Sequence, residues 1–133
     1  MGKIEDRQLR GGAELILLVE DNSATRKVTK IILEDFGYRV IEAVDGEEAL
    51  KKFRADKDRI QLVILDVIMP HGSIKPIYDE MLLIRSDMKA IFFSGYTEDI
   101  LKRSGMIEEG LTFLTKPFLP AKLASKVREV LDT

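Results

Sequence analysis

The sequence predicts an α/β domain in which a doubly wound, five-stranded parallel sheet is flanked by five helices. Three observations carry that expectation. Short runs that are apolar on both faces recur along the chain, each is followed by a segment with helical spacing, and the joints between them are short. Strands that alternate with helices need crossover connections, and right-handed crossovers place helices on both faces of a parallel sheet.

The elements follow in order. Residues 1–13 mix charges with Gly11-Gly12 and show no clean period, so they read as a tail or linker, and residues 14–133 form the domain. Glu14-Leu-Ile-Leu-Leu-Val19 is the first buried strand and stops at Glu20-Asp21-Asn22. Ser23 can cap the next helix, whose apolar positions are Val28, Ile32, Leu33 and Phe36, with Gly37 placed to close it. Tyr38–Ala43 is the second strand. Asp45 then caps a helix running through Ala49, Leu50 and Phe53, and Glu48 stands at capping-box spacing. Ile60–Leu65 is the third strand and ends on Asp66. A loop with Met69-Pro70 and Gly72 leads to a helix from about Ile77 to Ile84. Ala90–Phe93 is the fourth strand, ending at Ser94-Gly95, and Thr97 starts a short helix to about Arg103. Leu111–Leu114 is the fifth strand, followed by Thr115-Lys116-Pro117-Phe118, and the last helix runs from Pro120 to about Leu131.

Composition narrows the function. The chain has 133 residues, a length for one domain, with 21 basic and 23 acidic residues and a net charge of −2. That balance argues against a nucleic-acid partner, and the Lys51-Lys52 and Lys102-Arg103 pairs are too short to form such a footprint. No apolar run reaches the ~18 residues of a membrane span, and the charged start has no signal-peptide core. The chain contains no Cys, which excludes disulfides, zinc–thiolate sites and Cys nucleophiles and fits a cytoplasmic location.

The chemistry gathers at the strand ends. In open α/β sheets ligands bind outside the carboxyl ends of the strands. Those ends carry Glu20, Asp21, Asp66, Ser94 and Lys116. Taken singly, each has a bland reading: Asp21 as a helix cap, Lys116 as an exposed lysine, Ser94-Gly95 as a turn. Their coincidence at one sheet edge is the informative feature. Three carboxylates in one crevice repel unless a cation sits among them. All-oxygen ligation with a phosphate nearby suits Mg²⁺, and Lys116 and Ser94 add a point charge and a hydroxyl. This is the inventory of a phosphoryl-transfer site. His71 reads as a solvated loop histidine, and Met69, Met81, Met88 and Met106 as packing residues.

Four separated motifs, Ile16-Leu-Leu-Val-Glu-Asp-Asn22, Leu65-Asp-Val-Ile-Met-Pro70, Phe93-Ser-Gly95 and Thr115-Lys-Pro-Phe118, resemble the receiver domain of two-component response regulators, a CheY-like, flavodoxin-like fold. Asp45-Gly-Glu-Glu-Ala-Leu50 and Phe36-Gly-Tyr38 fit as well, and the likeness covers about residues 14–132. The resemblance implies that Asp66 is the phosphoacceptor, taking a phosphoryl group from a phosphohistidine. It implies Mg²⁺ held by Asp21 directly, by Glu20 through water, by Asp66 and by the backbone carbonyl of Ile68. Lys116 would bond the phosphoryl group across a cis Lys116–Pro117 peptide, Ser94 would be the switch hydroxyl, and Phe113 the switch aromatic. The implied partners are a histidine kinase or histidine phosphotransfer domain and a downstream protein. The readout would be the surface of the fourth helix, fifth strand and fifth helix, which is also a face through which two copies could pair.

One position departs from the family. A Gly usually stands eight residues after the acceptor, where this chain has Ile74. Either the loop takes another path or Gly72 provides the turn, since Ile resists positive φ. Apolar Ile68 and bulky Tyr96 flank the acceptor where polar residues could orient a hydrolytic water, which predicts slow self-dephosphorylation. The expected activity is therefore signalling rather than turnover of an external substrate. The chain would lack an output domain of its own, either as a stand-alone receiver or, the favoured reading, as the C-terminal receiver of a hybrid sensor kinase. A pseudo-receiver that only binds partners is the alternative, with a foothold in Ile74. A Mg²⁺-dependent phosphatase with Asp66 as nucleophile is disfavoured, because haloacid-dehalogenase-type enzymes carry a second Asp where this chain has Ile68.

Overall fold

The computed structural model describes residues 11–70, 72–108 and 110–133. Residues 1–10 of the expected tail and His71 therefore lie outside the described residues. Among the described residues seven strands and five helices follow in order: β1 (Leu15–Val19), α1 (Ser23–Asp35), β2 (Arg39–Ala43), α2 (Gly46–Asp56), β3 (Ile60–Asp66), β4 (Ile68–Met69), β5 (Gly72–Ser73), α3 (Lys75–Ile84), β6 (Ala90–Ser94), α4 (Glu98–Arg103), β7 (Phe113–Thr115) and α5 (Pro120–Leu131). Five strands form one parallel sheet in the order β2-β1-β3-β6-β7, the doubly wound order with β3 at its centre between β1 and β6. No helix among the described residues is long and apolar enough to cross a membrane.

Side chains alternate along each strand and so build two cores. Ile16 and Leu18, Leu62 and Ile64, Ile91 and Phe93, and Leu114 pack against Leu33 of α1 and Leu123, Val127 and Val130 of α5. Leu15, Leu17 and Val19, Val63 and Leu65, and Phe92 face Phe53 of α2, Tyr78 and Met81 of α3 and Leu101 of α4. This is why the central strands read as unbroken apolar runs: successive residues enter different cores. Met69, Met81 and Met88 fill the second of them, as packing residues should.

The helix ends sharpen the sequence reading. The α1 cap is Asn22 rather than Ser23: its side chain accepts the Thr25 N–H at 2.9 Å, and Ser23 is the first helical residue. Asp45 caps α2 through the Glu48 N–H at 2.8 Å, while the Glu48 carboxylate reaches back to the Val44 N–H at 3.0 Å. Thr97 caps α4, and Gly37 takes φ +96° after α1. No substituent fits at Gly37, since a Cβ there would lie 2.4 Å from the Gly12 carbonyl oxygen. Gly12 in turn donates its N–H to the Phe36 carbonyl at 3.1 Å.

Two stretches depart from expectation. The last sheet strand is shorter than residues 111–114 suggest, because pairing with β6 runs only over Phe113–Thr115. The loop after Asp66 is a small antiparallel hairpin, β4–β5, with Ile68 opposite Ser73 and Met69 opposite Gly72. Gly72 makes the turn at φ +115°, whereas Ile74 sits at φ −72° and is buried in the core. Ile74 also closes the hairpin, donating its N–H to the Val67 carbonyl at 2.8 Å, and α3 begins at the next residue. The residue that replaces the expected glycine is thus a core residue, and the turn has moved two positions upstream.

Candidate functional site

One more step of strand alternation past Leu18, Ile64 and Leu114 gives Glu20, Asp66 and Lys116. These three therefore emerge together at the carboxyl edge of the sheet, on the side covered by α1 and α5. Lys116 Nζ donates to Glu20 Oε1 at 2.7 Å and to Asp66 Oδ2 at 3.0 Å. Glu20 is fully buried and Asp66 nearly so, whereas Asp21 is exposed. One oxygen from each of the three acids lies within 4.8 Å of the others, a spacing at which a cation could take all three.

The backbone supplies further donors. The second Glu20 oxygen accepts the Asn22 N–H at 3.2 Å, and Asp66 Oδ1 accepts the Ile68 N–H at 3.3 Å. Arg26 of α1 donates to the Glu20 carbonyl at 3.0 Å while its Nε binds Glu42 at 3.3 Å, which ties the β1 end to α1 and β2. Burial pushes the Glu20 carboxyl up from its ordinary range. The Lys116 bond opposes that rise and the neighbouring Asp66 adds to it. For Lys116 burial pulls the other way, but bonds and charge from Glu20 and Asp66 outweigh it, and the ammonium is held above its usual value.

The remaining expected residues take other positions. Ser94 ends β6 with the parity of Phe92, so it belongs to the opposite side of the sheet from Lys116. It is buried, and its Oγ accepts the Tyr96 N–H at 3.1 Å. Phe113 pairs with Phe92 across β6–β7 and packs half-buried against the α2–α3–α4 core. Ile68 stands in β4. Because Val67 and Ile74 form a bonded pair, Ile68 and Ser73 form a non-bonded one, and the polar backbone of Ile68 faces away from the hairpin. The Lys116–Pro117 peptide is cis.

Three contributors escape the sequence reading. The Asn22 and Ile68 amides follow from chain path alone. Phe93, whose ring centroid is 4.7 Å from Lys116 Nζ, was legible in principle, because its strand parity matches that of Asp66.

A doubly wound sheet with a lysine-bridged acidic cluster at its carboxyl edge defines a class of phosphoryl-handling α/β domains. Residues 16–128 match the response regulator receiver domain family, and the chain belongs to it. It is 35% identical over 130 residues, 98% of its length, to the sensor kinase CckA of Brucella abortus, of which it spans 14%. It is also 35% identical over 116 residues to the transcriptional regulatory protein YvrH of Bacillus subtilis, covering 85% of the chain and 47% of that protein. The chain thus spans about half or less of these relatives. The crystal structure of the receiver domain from hybrid histidine kinase CckA superimposes with a TM-score of 0.71 at 37% identity, covering 88% of this chain and 98% of that one. The protein is a CheY-like receiver of two-component signalling.

Proposed function

We propose that Asp66 is the phosphoacceptor of this receiver and that Lys116 is its charge partner. The observation that carries this reading is the pair of bonds from Lys116 Nζ to Glu20 and Asp66 beside a third carboxylate. A carboxylate oxygen of Asp66 attacks the phosphorus of a phosphohistidine. The P–N bond breaks, the imidazole nitrogen leaves with the electron pair, and an acyl phosphate remains on Asp66. Lys116 then pairs with a phosphoryl oxygen.

The donor set is all oxygen, which suits Mg²⁺: Asp21 and Asp66 directly, Glu20 through water, and the Ile68 carbonyl. When bound, the ion neutralises charge on the phosphoryl group. Asp21 is the exposed member and so the accessible ligand, while both oxygens of Glu20 already have donors, which favours an outer role for it. The outward-facing backbone of Ile68 supports the carbonyl assignment.

Ser94 moves toward the phosphoryl group and Phe113 turns inward, so that phosphorylation biases a two-state element. The readout is the surface of α4, β7 and α5, used for a downstream protein or a second copy. The donor is a histidine kinase or phosphotransfer domain, and the setting is the cytoplasm. The likeness to CckA favours a receiver fed by a hybrid sensor kinase.

Incubation with Mg²⁺ and a small phosphodonor tests the reading by intact mass. The chain gains one phosphoryl group and Asp66→Ala gains none. No gain, together with no binding of beryllofluoride, would leave a domain that only binds partners.

A further inference from the structure

Phe93 is wholly buried in β6, in register with Asp66 on β3 and Leu114 on β7. Its ring lies 4.7 Å from Lys116 Nζ, inside the ~6 Å reach of cation–π attraction. Phe118 backs it at a centroid distance of 6.0 Å and 38° between planes. Lys116 therefore has three contacts of two kinds: carboxylates from Glu20 and Asp66, and an aromatic face.

We propose that Phe93 is a positioning residue for Lys116, an aromatic floor that keeps the ammonium aimed at the Asp66 phosphoryl group. The inference rests on Asp66 as the phosphoacceptor and deepens that reading. A lysine ammonium rides on a flexible four-carbon stem and finds its place from its neighbours. Once Asp66 is an acyl phosphate, the oxygen that held Lys116 no longer carries a full charge. A cation among the acids also competes for Glu20. Neither event changes the ring. Its quadrupole holds the ammonium without neutralising it, leaving the charge available to the phosphoryl oxygen. An aliphatic residue at this position would fill the core but offer no such face.

The test compares the chain with Phe93→Leu and Phe93→Tyr by NMR and by beryllofluoride titration in Mg²⁺. A ring this close shifts the Lys116 ε-methylene protons upfield, and the shift is expected in the free and beryllofluoride-bound chain, absent in Phe93→Leu and restored in Phe93→Tyr. Beryllofluoride affinity is expected to fall about fivefold in Phe93→Leu and to recover in Phe93→Tyr. Ordinary Lys116 shifts in the wild-type chain, loss of the shift on beryllofluoride binding, or unchanged affinity in Phe93→Leu would overturn the proposal. Should Phe93→Leu not fold, the wild-type shifts and Phe93→Tyr still decide it. A wild-type chain that shows the ring shift but binds no beryllofluoride would instead refute Asp66 as acceptor while leaving the aromatic contact standing.

Discussion

Lys116 lies nearer to Glu20, at 2.7 Å, than to Asp66, at 3.0 Å. The lysine thus bridges the ends of β1, β3 and β7, and its removal strands one wholly buried and one nearly buried carboxylate. Lys116→Met is expected to cost about 3 kcal/mol at neutral pH in metal-free urea unfolding. A loss below ~1 kcal/mol would mean that the bridge contributes little.

The same bridge sets a pH dependence. Burial alone would lower the Lys116 pKa, but Glu20 and Asp66 raise it above the usual 10.5, so the folded chain keeps this proton longer than the unfolded one. Its contribution is complete below pH 10.5 and is lost as pH rises through the folded value. Glu20, raised above 4.5 chiefly by burial, takes up a proton on folding in the window just above that value, so its contribution falls as pH climbs through that window. Thermal unfolding without metal should therefore decline more steeply on the alkaline side for the wild type than for Lys116→Met. Glu20→Gln should remove the acid-side slope. Parallel curves would contradict both assignments.

Ile74→Gly, which restores the residue usual in the family, is expected to destabilise by about 3 kcal/mol or more, because a buried side chain is lost and its φ of −72° has no need of glycine. Gly72→Ala should cost about 1 kcal/mol from backbone strain alone, since φ is +115° and a Cβ would meet nothing within 4 Å. Chemical denaturation of the two variants reads both, and a neutral Ile74→Gly would refute the relocated turn.

Asp21 is exposed at the rim of the acidic cluster. Asp21→Asn should leave the unfolding midpoint within about 0.5 kcal/mol of wild type. Mg²⁺ binding measured by calorimetry should weaken by an order of magnitude or more, roughly the effect of removing a direct ligand. Unchanged affinity would exclude Asp21 from the coordination sphere.

Tyr96 is exposed, and its N–H is held by Ser94 Oγ, next to the acceptor edge. With Ile68 on the other flank, no carboxylate or amide side chain stands at these two positions to orient a water. The phosphorylated chain should lose its label over minutes or longer in a gel-shift decay. Decay within seconds would show that water is oriented by some other group.

Legibility in the sequence tracked the strength of local constraint. The sheet was readable because each central strand serves two cores, and an unbroken run such as residues 15–19 has no other stable use. Asp45 and Thr97 were readable as caps because their side chains satisfy the first turn directly. Asn22 was overlooked beside Ser23, since both residue types cap well and only the chain path separates them. The β4–β5 hairpin was hidden because its strands are two residues long and held by a glycine turn whose register depends on a distant core position, Ile74. For the site, the gathering of Glu20, Asp21, Asp66 and Lys116 at one edge is readable from their place at strand ends. Phe93 was passed over as core because an apolar residue announces packing before it announces a contact with charge.

The alternation that builds the two cores also divides labour across the sheet. Lys116, Glu20 and Asp66 lie on the α1–α5 side, while Ser94 and Phe113 share the parity of Phe92 on the other. Phe93 and Ser94 are consecutive, and the carbonyl of Phe93 is gripped by the Val67 N–H at 3.0 Å, one residue past Asp66. The Phe93–Ser94 peptide unit thus joins the charged side of the sheet to the far side and is pinned to the end of the strand that carries Asp66. The sheet is a partition with a different inventory on each face, and β6 carries a residue of each kind, Phe93 on one and Ser94 on the other.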